Sequence, residues 1–121
     1  MIGARILIVE DNRDSQESLG AILKSLGHLP VVANDGNEAL RMLETNNVDL
    51  VITDVVMPGM NGLVFARRAR ETRPATFILF VTGDADALDE VLASGSVALL
   101  KPYSSDKLRS VIDEALSDSR S

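Results

Sequence analysis

The chain contains no cysteine and no tryptophan, and it has no long apolar run. Without cysteine, neither a disulfide nor a thiolate metal site is available. The apolar runs last only four or five residues, which is too short to cross a bilayer. No basic flank followed by a long apolar region opens the chain, so no signal peptide is predicted. We therefore expect a soluble, cytoplasmic protein that does not contact the membrane.

Aromatic and basic side chains are also scarce. Three Phe and one Tyr are too few to stack the bases of single-stranded nucleic acid. The formal net charge of −6 opposes binding to a phosphate backbone, which requires clustered Lys and Arg. The one dense basic patch, Arg67, Arg68 and Arg70, falls on a predicted helix and is interpreted as a solvated face. No nucleic-acid partner is predicted.

The chain does contain a regular alternation of two patterns over its 121 residues, a length typical of one domain. Five short apolar runs are continuous rather than alternating, which is typical of strands covered on both faces by helices. These runs are Ile6–Val9, Leu29–Ala33, Leu50–Ile52, Phe77–Val81 and Val97–Leu100. The segments between them repeat apolar residues at intervals of three and four, as amphipathic helices do. A β-α pattern repeated five times predicts a parallel sheet.

The order of the strands can be predicted from one proline. Pro30 has no N–H to donate to a sheet, so the second strand is expected at an edge. An edge second strand fits the order 2-1-3-4-5 of the flavodoxin-like class. The prediction is a three-layer (βα)5 α/β sandwich formed by a single domain of residues 1–121. Its core is expected at about 4–117, followed by a short polar tail at Ser117–Ser121.

Helix ends are indicated by capping residues. Asp14 followed by Glu17 resembles a capping box at the start of the first helix. Ser104 or Ser105 is expected to cap the last helix, and glycines at 27 and 95 stand where helices are expected to end.

Polar residues with reactive side chains follow four of the five apolar runs. Ligands of open α/β sheets bind outside the carboxyl ends of the strands, so these residues are the informative ones. They are Glu10 and Asp11 after the first run, Asp54 after the third, Thr82 after the fourth and Lys101 after the fifth. The predicted topology brings them to one rim, although each alone would pass for an ordinary solvated strand end.

The chemistry of this set points to phosphoryl transfer. Two carboxylates about 4 Å apart repel by about 4 kcal/mol at an effective dielectric of about 20, so Glu10, Asp11 and Asp54 require a cation or raised pKa values. Oxygen ligands without His or Cys favour a hard ion such as Mg²⁺. Asp54 is then a nucleophile that needs no general base. Thr82 can donate a hydrogen bond to a phosphoryl oxygen, and Lys101 can neutralise another.

Four motifs in this order resemble the receiver domain of two-component response regulators. They are ILIVEDN, DLVITDVVMPGMNG, FVTGD and LLKPY, and the similarity spans essentially the whole chain. The resemblance implies that Asp54 is the phosphoacceptor and that Glu10 and Asp11 form an acidic pocket for Mg²⁺ (or Mn²⁺). It also implies that Asp54 and the backbone carbonyl of Val56 are metal ligands.

The same resemblance gives roles to the later motifs. It implies that Thr82 is the switch hydroxyl, that Lys101 binds phosphate and that the bond from Lys101 to Pro102 is cis. The chain departs from the usual pattern at Ala98, where receivers commonly carry the aromatic residue that couples to the switch threonine. Tyr103 is the ordinary aromatic of the KPY motif. This departure removes the usual aromatic partner of the threonine but none of the residues implied in phosphorylation.

The partners implied are a histidine kinase or a histidine phosphotransfer domain, and an unknown downstream protein. In such relatives the kinase bundle docks on a surface that here corresponds to Ser15, Gln16, Ser18, Tyr103 and Ser104. No output domain is expected within this sequence. We therefore expect a stand-alone receiver or a domain of a larger protein, and Ala98 favours the receiver of a hybrid sensor histidine kinase.

Three other functions were weighed against this one. An aspartyl-phosphate phosphatase of the haloacid dehalogenase type needs a second Asp at position 56, where this chain has Val56. A pseudo-receiver scaffold typically lacks an acidic or lysine position, and none is lost here. Neither glycine-rich nucleotide-binding motif is present. The expected domain is thus not an enzyme beyond its own phosphorylation and dephosphorylation.

Overall fold

The structure, a computed structural model, describes the backbone of residues 3–120 and the side chains of residues 3–117. Its strands are β1 Arg5–Val9, β2 Leu29–Ala33, β3 Leu50–Asp54, β4 Phe77–Thr82 and β5 Val97–Leu100. Its helices are α1 Arg13–Ser25, α2 Gly36–Thr45, α3 Gly62–Thr72, α4 Ala85–Ala93 and α5 Ser105–Arg120. None of the described helices is long and apolar enough to span a bilayer.

All four strand pairs are parallel, and the sheet has the order β2-β1-β3-β4-β5. The predicted flavodoxin-like fold is therefore confirmed. Pro30 lies on the edge strand β2, opposite Ile6 of β1, where its missing N–H breaks no second ladder. Three strands are longer than predicted, because Arg5 pairs with Leu29, Asp54 with Val81 and Thr82 with Leu100. Asp54 and Thr82 thus belong to the sheet itself.

The sheet separates two hydrophobic cores, which explains why the strands are apolar without alternation. Successive side chains of a strand point to opposite faces. Leu7 and Val9 accordingly face the core formed with α2, α3 and α4, where Phe65 and Phe80 are fully buried. Ile6 and its neighbours of the same parity face the core formed with α1 and α5.

Helix ends agree in part with the predicted caps. The α1 helix is capped by Asn12, whose Oδ1 accepts from the Ser15 backbone N at 2.9 Å, so the capping box predicted at Asp14 is wrong. Ser104 caps α5 by accepting from the Lys107 N at 3.0 Å. Gly27 follows α1 with φ of 90°, a left-handed conformation that favours glycine. The tail predicted from residue 117 continues α5 to Arg120, and Ser121 lies outside the described residues.

Candidate functional site

The carboxyl ends of β1, β3, β4 and β5 bring the predicted polar residues to one edge of the sheet. Val9, the last residue of β1, is level with Thr53 of β3, so Glu10 follows β1 beside Asp54. Thr82 is level with Leu100, which places Lys101 directly after it on the neighbouring strand. Parallel pairing alone therefore sets residues from distant parts of the chain side by side.

Three charged side chains meet at this edge, and we call Glu10, Asp54 and Lys101 the charged trio. The Lys101 Nζ lies 3.2 Å from Asp54 Oδ2 and 3.3 Å from Glu10 Oε1. The Glu10 and Asp54 side chains are 8% and 14% exposed, and that of Lys101 is 31% exposed. Two largely buried carboxylates thus share one partly exposed ammonium group. Its positive charge offsets the repulsion between them.

Each polar group of Glu10 is held by a different element. Its backbone N donates to the Ala33 carbonyl at the end of β2 at 3.1 Å. Its carbonyl accepts from the Gln16 side chain on α1, and its Oε2 accepts from the Asn12 N at 3.4 Å. With Lys101 at the other carboxylate oxygen, Glu10 has little freedom to reorient.

Asp54 is held by the loop that follows it. Its Oδ1 accepts from the Val56 N at 3.2 Å, while its Oδ2 faces Lys101. Gly62, the first residue of α3, closes this loop by donating to the Val55 carbonyl at 2.8 Å. A Cβ at position 62 would lie 2.2 Å from the Asp54 carbonyl oxygen, closer than any real contact. Only glycine lets α3 begin this close to Asp54.

Thr82 is almost fully buried at 1% exposure, and its hydroxyl is tied to the start of α4. The Thr82 Oγ1 accepts from the Asp84 N at 3.1 Å, and the Asp84 carboxylate caps α4 by accepting from Asp86 and Ala87. The Thr82 carbonyl accepts from the Lys101 N at 2.7 Å. Thr82 is therefore hydrogen-bonded both to the backbone of Lys101, a member of the charged trio, and to the backbone of Asp84, which caps α4.

Electrostatics keep the amine of the trio charged. Partial burial is the largest single influence on Lys101 and opposes its charge, but the attraction of Asp54 and Glu10 outweighs it. The pKa of Lys101 is consequently raised above its ordinary value. Burial also raises the pKa of Tyr103, which lines a pocket together with Glu10, Asp54 and Lys101. The Lys101 charge opposes that rise, and the two carboxylates add to it.

Not every predicted site residue joins the trio. Asp11 is exposed and makes no hydrogen bond or ion pair with the part of the chain that the structure describes. The Val56 side chain is 62% exposed, and Ala98 packs against the core of α2, α3 and α4. The bond from Lys101 to Pro102 is cis, as the resemblance implied.

The two carboxylates of the trio suit a hard divalent ion whose remaining coordination positions are filled by other ligands. Within the described residues, no three His, Asp or Glu side chains group closely enough to form a metal cage. Glu10 Oε1 and Asp54 Oδ2 nevertheless lie near each other, since both are within 3.3 Å of the Lys101 nitrogen. Mg²⁺ is commonly bound by one or two carboxylates, with waters and a phosphate oxygen completing the shell. The residues present fit that pattern.

Two contacts of the site were not predicted from sequence. Gln16, expected on an exposed docking surface, is half-buried and donates to the Glu10 carbonyl and to Asn34. Asp84 caps α4 with its side chain. An Asp preceding a helical segment was a usable capping signal, whereas nothing in the sequence marks the Gln16 contact.

Known proteins share both the sequence pattern and the fold. Residues 6–113 match the family described as "Response regulator receiver domain". The response regulator receiver protein CpdR of Brucella abortus is 34% identical over 113 residues, or 91% of this chain and 92% of that protein. The uncharacterized transcriptional regulatory protein YrkP of Bacillus subtilis is 36% identical over 107 residues, or 86% of this chain but 46% of that protein. The chain thus spans less than half of YrkP.

A solved structure agrees with these matches. The response regulator receiver domain protein (CheY-like) of Methanospirillum hungatei superposes with a TM-score of 0.88 at 27% identity. That superposition covers 98% of this chain and 97% of the other. The order of the strands, the matched residues and this superposition agree, and the chain therefore belongs to the response regulator receiver domain family of two-component systems.

Proposed function

We propose that Asp54 accepts a phosphoryl group from a phosphohistidine of a histidine kinase or a histidine phosphotransfer domain. The observation that carries this proposal is the placement of the Asp54 carboxylate, 14% exposed and 3.2 Å from the Lys101 ammonium. An Asp54 oxygen attacks phosphorus and forms the O–P bond, while the N–P bond of the donor breaks. The electron pair of that bond returns to the imidazole nitrogen of the donor.

Two side chains receive the transferred group. The Lys101 ammonium, whose raised pKa keeps it charged, pairs with one phosphoryl oxygen. The Thr82 hydroxyl accepts from the Asp84 N, so its own hydrogen remains available for a second phosphoryl oxygen. No general base is needed, because the nucleophile is already a carboxylate.

Glu10, Asp11, Asp54 and the backbone carbonyl of Val56 are the residues we assign to hold Mg²⁺ (or Mn²⁺). When bound, the ion neutralises charge on the phosphoryl oxygens during transfer. Glu10 is oriented for this role by its four hydrogen-bonding partners. Exposed Asp11 is free to turn toward the same point.

Phosphorylation converts the Asp54 carboxylate, of charge −1, into an acyl phosphate that carries a charge of about −2 and three acceptor oxygens beside Thr82 and Lys101. We infer that the domain signals by shifting between two conformations as Thr82 and Lys101 respond to this charge. Thr82 is hydrogen-bonded to Asp84, the residue that caps α4. The conformational change is therefore transmitted from the site to α4. We place this exchange in the cytoplasm, with a downstream protein rather than nucleic acid or membrane as the receiver of the signal.

The assignment of Asp54 is tested with a small phosphodonor. Incubation with acetyl phosphate and MgCl₂ should add one phosphate to the wild-type protein, measured by intact-protein mass spectrometry. Asp54→Asn should abolish the added mass, and a chelator should prevent it in the wild type. Asp49→Asn is the matched control because Asp49 precedes the same strand at its other end, and it should be labelled normally. Labelling of Asp54→Asn would refute the assignment.

A further inference from the structure

Gln16 occupies an inward position that its place on α1 does not suggest. It lies in the first turn of the helix, where its neighbour Glu17 is exposed and pairs with Arg13. Gln16 is instead half-buried, and its amide Nε2 donates to the Glu10 carbonyl at 2.5 Å and to Asn34 Oδ1 at 2.8 Å. The side chain therefore points at the edge of the sheet and not at solvent.

These two bonds fix the orientation of the amide. A side-chain NH₂ group has two hydrogens, and here each has its own acceptor. The acceptor Asn34 is itself held, because its Nδ2 donates to Glu38 Oε2 on α2 at 3.3 Å. Gln16 thus connects the loop after β1 with the loop after β2, and its position is set from both sides.

The bond to the Glu10 carbonyl controls the direction of two acidic residues. A peptide unit is planar, so fixing the Glu10 oxygen also fixes the plane that leads to Asp11. The preceding peptide of Glu10 is held by its own N–H to the Ala33 carbonyl at 3.1 Å. Because the peptide units on both sides of Glu10 are held, its carboxylate stays directed at Lys101. The position of the Asp11 Cα is held as well.

From this geometry we propose that Gln16 is a positioning residue for the acidic pair Glu10 and Asp11, acting through the Glu10 carbonyl. The inference rests on the proposed Mg²⁺-dependent function of the same site. It assigns to Gln16 a role in shaping the cation pocket in place of direct contact with a kinase.

The test compares Gln16→Met with Ser18→Ala. Methionine keeps the length of the side chain and removes both donors, while Ser18 is exposed on the same helix and its side chain makes no hydrogen bond within the described residues. Titration with MgCl₂ by calorimetry gives the Kd, and the fluorescence of Tyr103, the sole tyrosine, follows the same titration. We expect Gln16→Met to weaken Mg²⁺ binding about 10-fold, as loss of a group that orients a metal ligand commonly does, and Ser18→Ala to bind as the wild type does.

The phosphorylation rate with acetyl phosphate gives a second measurement that involves no protein partner. Gln16→Met should slow phosphorylation at low MgCl₂ and approach the wild-type rate at saturating MgCl₂. A residue that only contacts a kinase would leave both the Kd and this rate unchanged, and that result would overturn the proposal.

Asn34→Ala provides an independent variant that leaves α1 intact. It releases one of the two bonds on the Gln16 amide, so a smaller weakening of Mg²⁺ binding, about 3-fold, is expected. Should Gln16→Met fail to fold, as judged by circular dichroism, Asn34→Ala decides the question, and an unchanged Kd overturns the proposal. Failure of the Asp54 assignment is separately visible, since it changes which residue is labelled and not the Kd of Mg²⁺.

Discussion

The two ends of the sheet differ in whether charged side chains pair with one another. At the end where the strands begin, side chains bond to backbone. Asp49 Oδ2 accepts from the Arg5 N at 2.9 Å, and His28 Nδ1 accepts from the Ala4 N at 3.0 Å. The Arg73 Nε donates to the Leu43 carbonyl at 2.9 Å. His28 lies in the turn between α1 and β2 and fastens that turn to the residue before β1.

At the end where the strands finish, charged side chains bond to one another in the trio. A side chain bonded to backbone cannot leave without exposing an unsatisfied group, so it serves the fold. A charge bonded to another charge can exchange that partner for an ion or a phosphoryl oxygen of matching sign. The difference indicates that the amino end of the sheet stabilises the fold and that the carboxyl end is suited to bind an ion or a phosphoryl group.

The largest effect on stability is expected from removing the amine of the trio. Lys101→Met leaves Glu10 and Asp54 facing each other without a cation. Breaking a fully buried pair typically costs about 3–5 kcal/mol. Because the Lys101 side chain is 31% exposed, we expect the free energy of unfolding to fall by about 1–3 kcal/mol. Urea denaturation measures this loss.

The same variant tests whether a metal ion can replace the Lys101 ammonium beside Glu10 and Asp54. MgCl₂ should raise the Tm of Lys101→Met more than that of the wild type, since the ion replaces the missing charge. Lys107→Met, on the exposed surface of α5, serves as the control and should behave as the wild type. An Lys101→Met protein that is as stable as the wild type without Mg²⁺ would contradict the comparison.

A smaller effect is expected at the structural end. Asp49→Ala removes the acceptor of the Arg5 N and should lower the free energy of unfolding by about 0.5–1.5 kcal/mol in urea denaturation. Asp89→Ala removes the same charge from an exposed site on α4 and should cause a smaller loss. Labelling by acetyl phosphate should be unchanged in both. A phosphorylation defect in Asp49→Ala would show that the two ends are not separate.

The smallest effect is a shift in the titration of one side chain. Tyr103 should ionise above its ordinary pKa of about 10, because burial raises its pKa. Ultraviolet absorbance of tyrosinate measures this directly, since the chain has a single tyrosine. In urea the midpoint should return to the ordinary value; equal midpoints in the two states would refute the burial argument.

The raised pKa values of Tyr103 and Lys101 also set the direction of a stability change. Below about pH 10 both groups hold their protons in the folded and unfolded chains alike, so their contribution is constant. Above that pH the unfolded chain loses protons first, and the free energy of unfolding should fall.

The fold was predictable from sequence because it depends on patterns that repeat along the chain. Continuous apolar runs such as Ile6–Val9 indicated a sheet covered on both faces, and Pro30 indicated an edge strand. Parallel strands then bring the residues at their carboxyl ends together without further information. For this reason Glu10, Asp54 and Lys101 could be grouped from their positions alone.

The rest of the site depends on side-chain directions that no repeat encodes. Gln16 reaches the Glu10 carbonyl and Asn34 through its rotamer and through the separation of α1 from β2, neither of which sequence spacing gives. The cap of α1 is Asn12 and not the predicted Asp14, because both residue types are good caps and only the backbone decides where the helix begins. The exposed position of Asp11 was likewise unpredictable, since its neighbour Glu10 is buried.

Polarity inside this domain is confined to a single place, and that has a practical meaning for protein engineering. Among the described residues, the buried polar or charged side chains are Glu10, Thr53 and Thr82, and all three lie at or next to the carboxyl ends of their strands. The described core residues beneath them have aliphatic, aromatic or methionine side chains. A designer seeking a heat-resistant variant can therefore repack the two cores with other apolar residues of similar volume without substituting Glu10, Thr53 or Thr82.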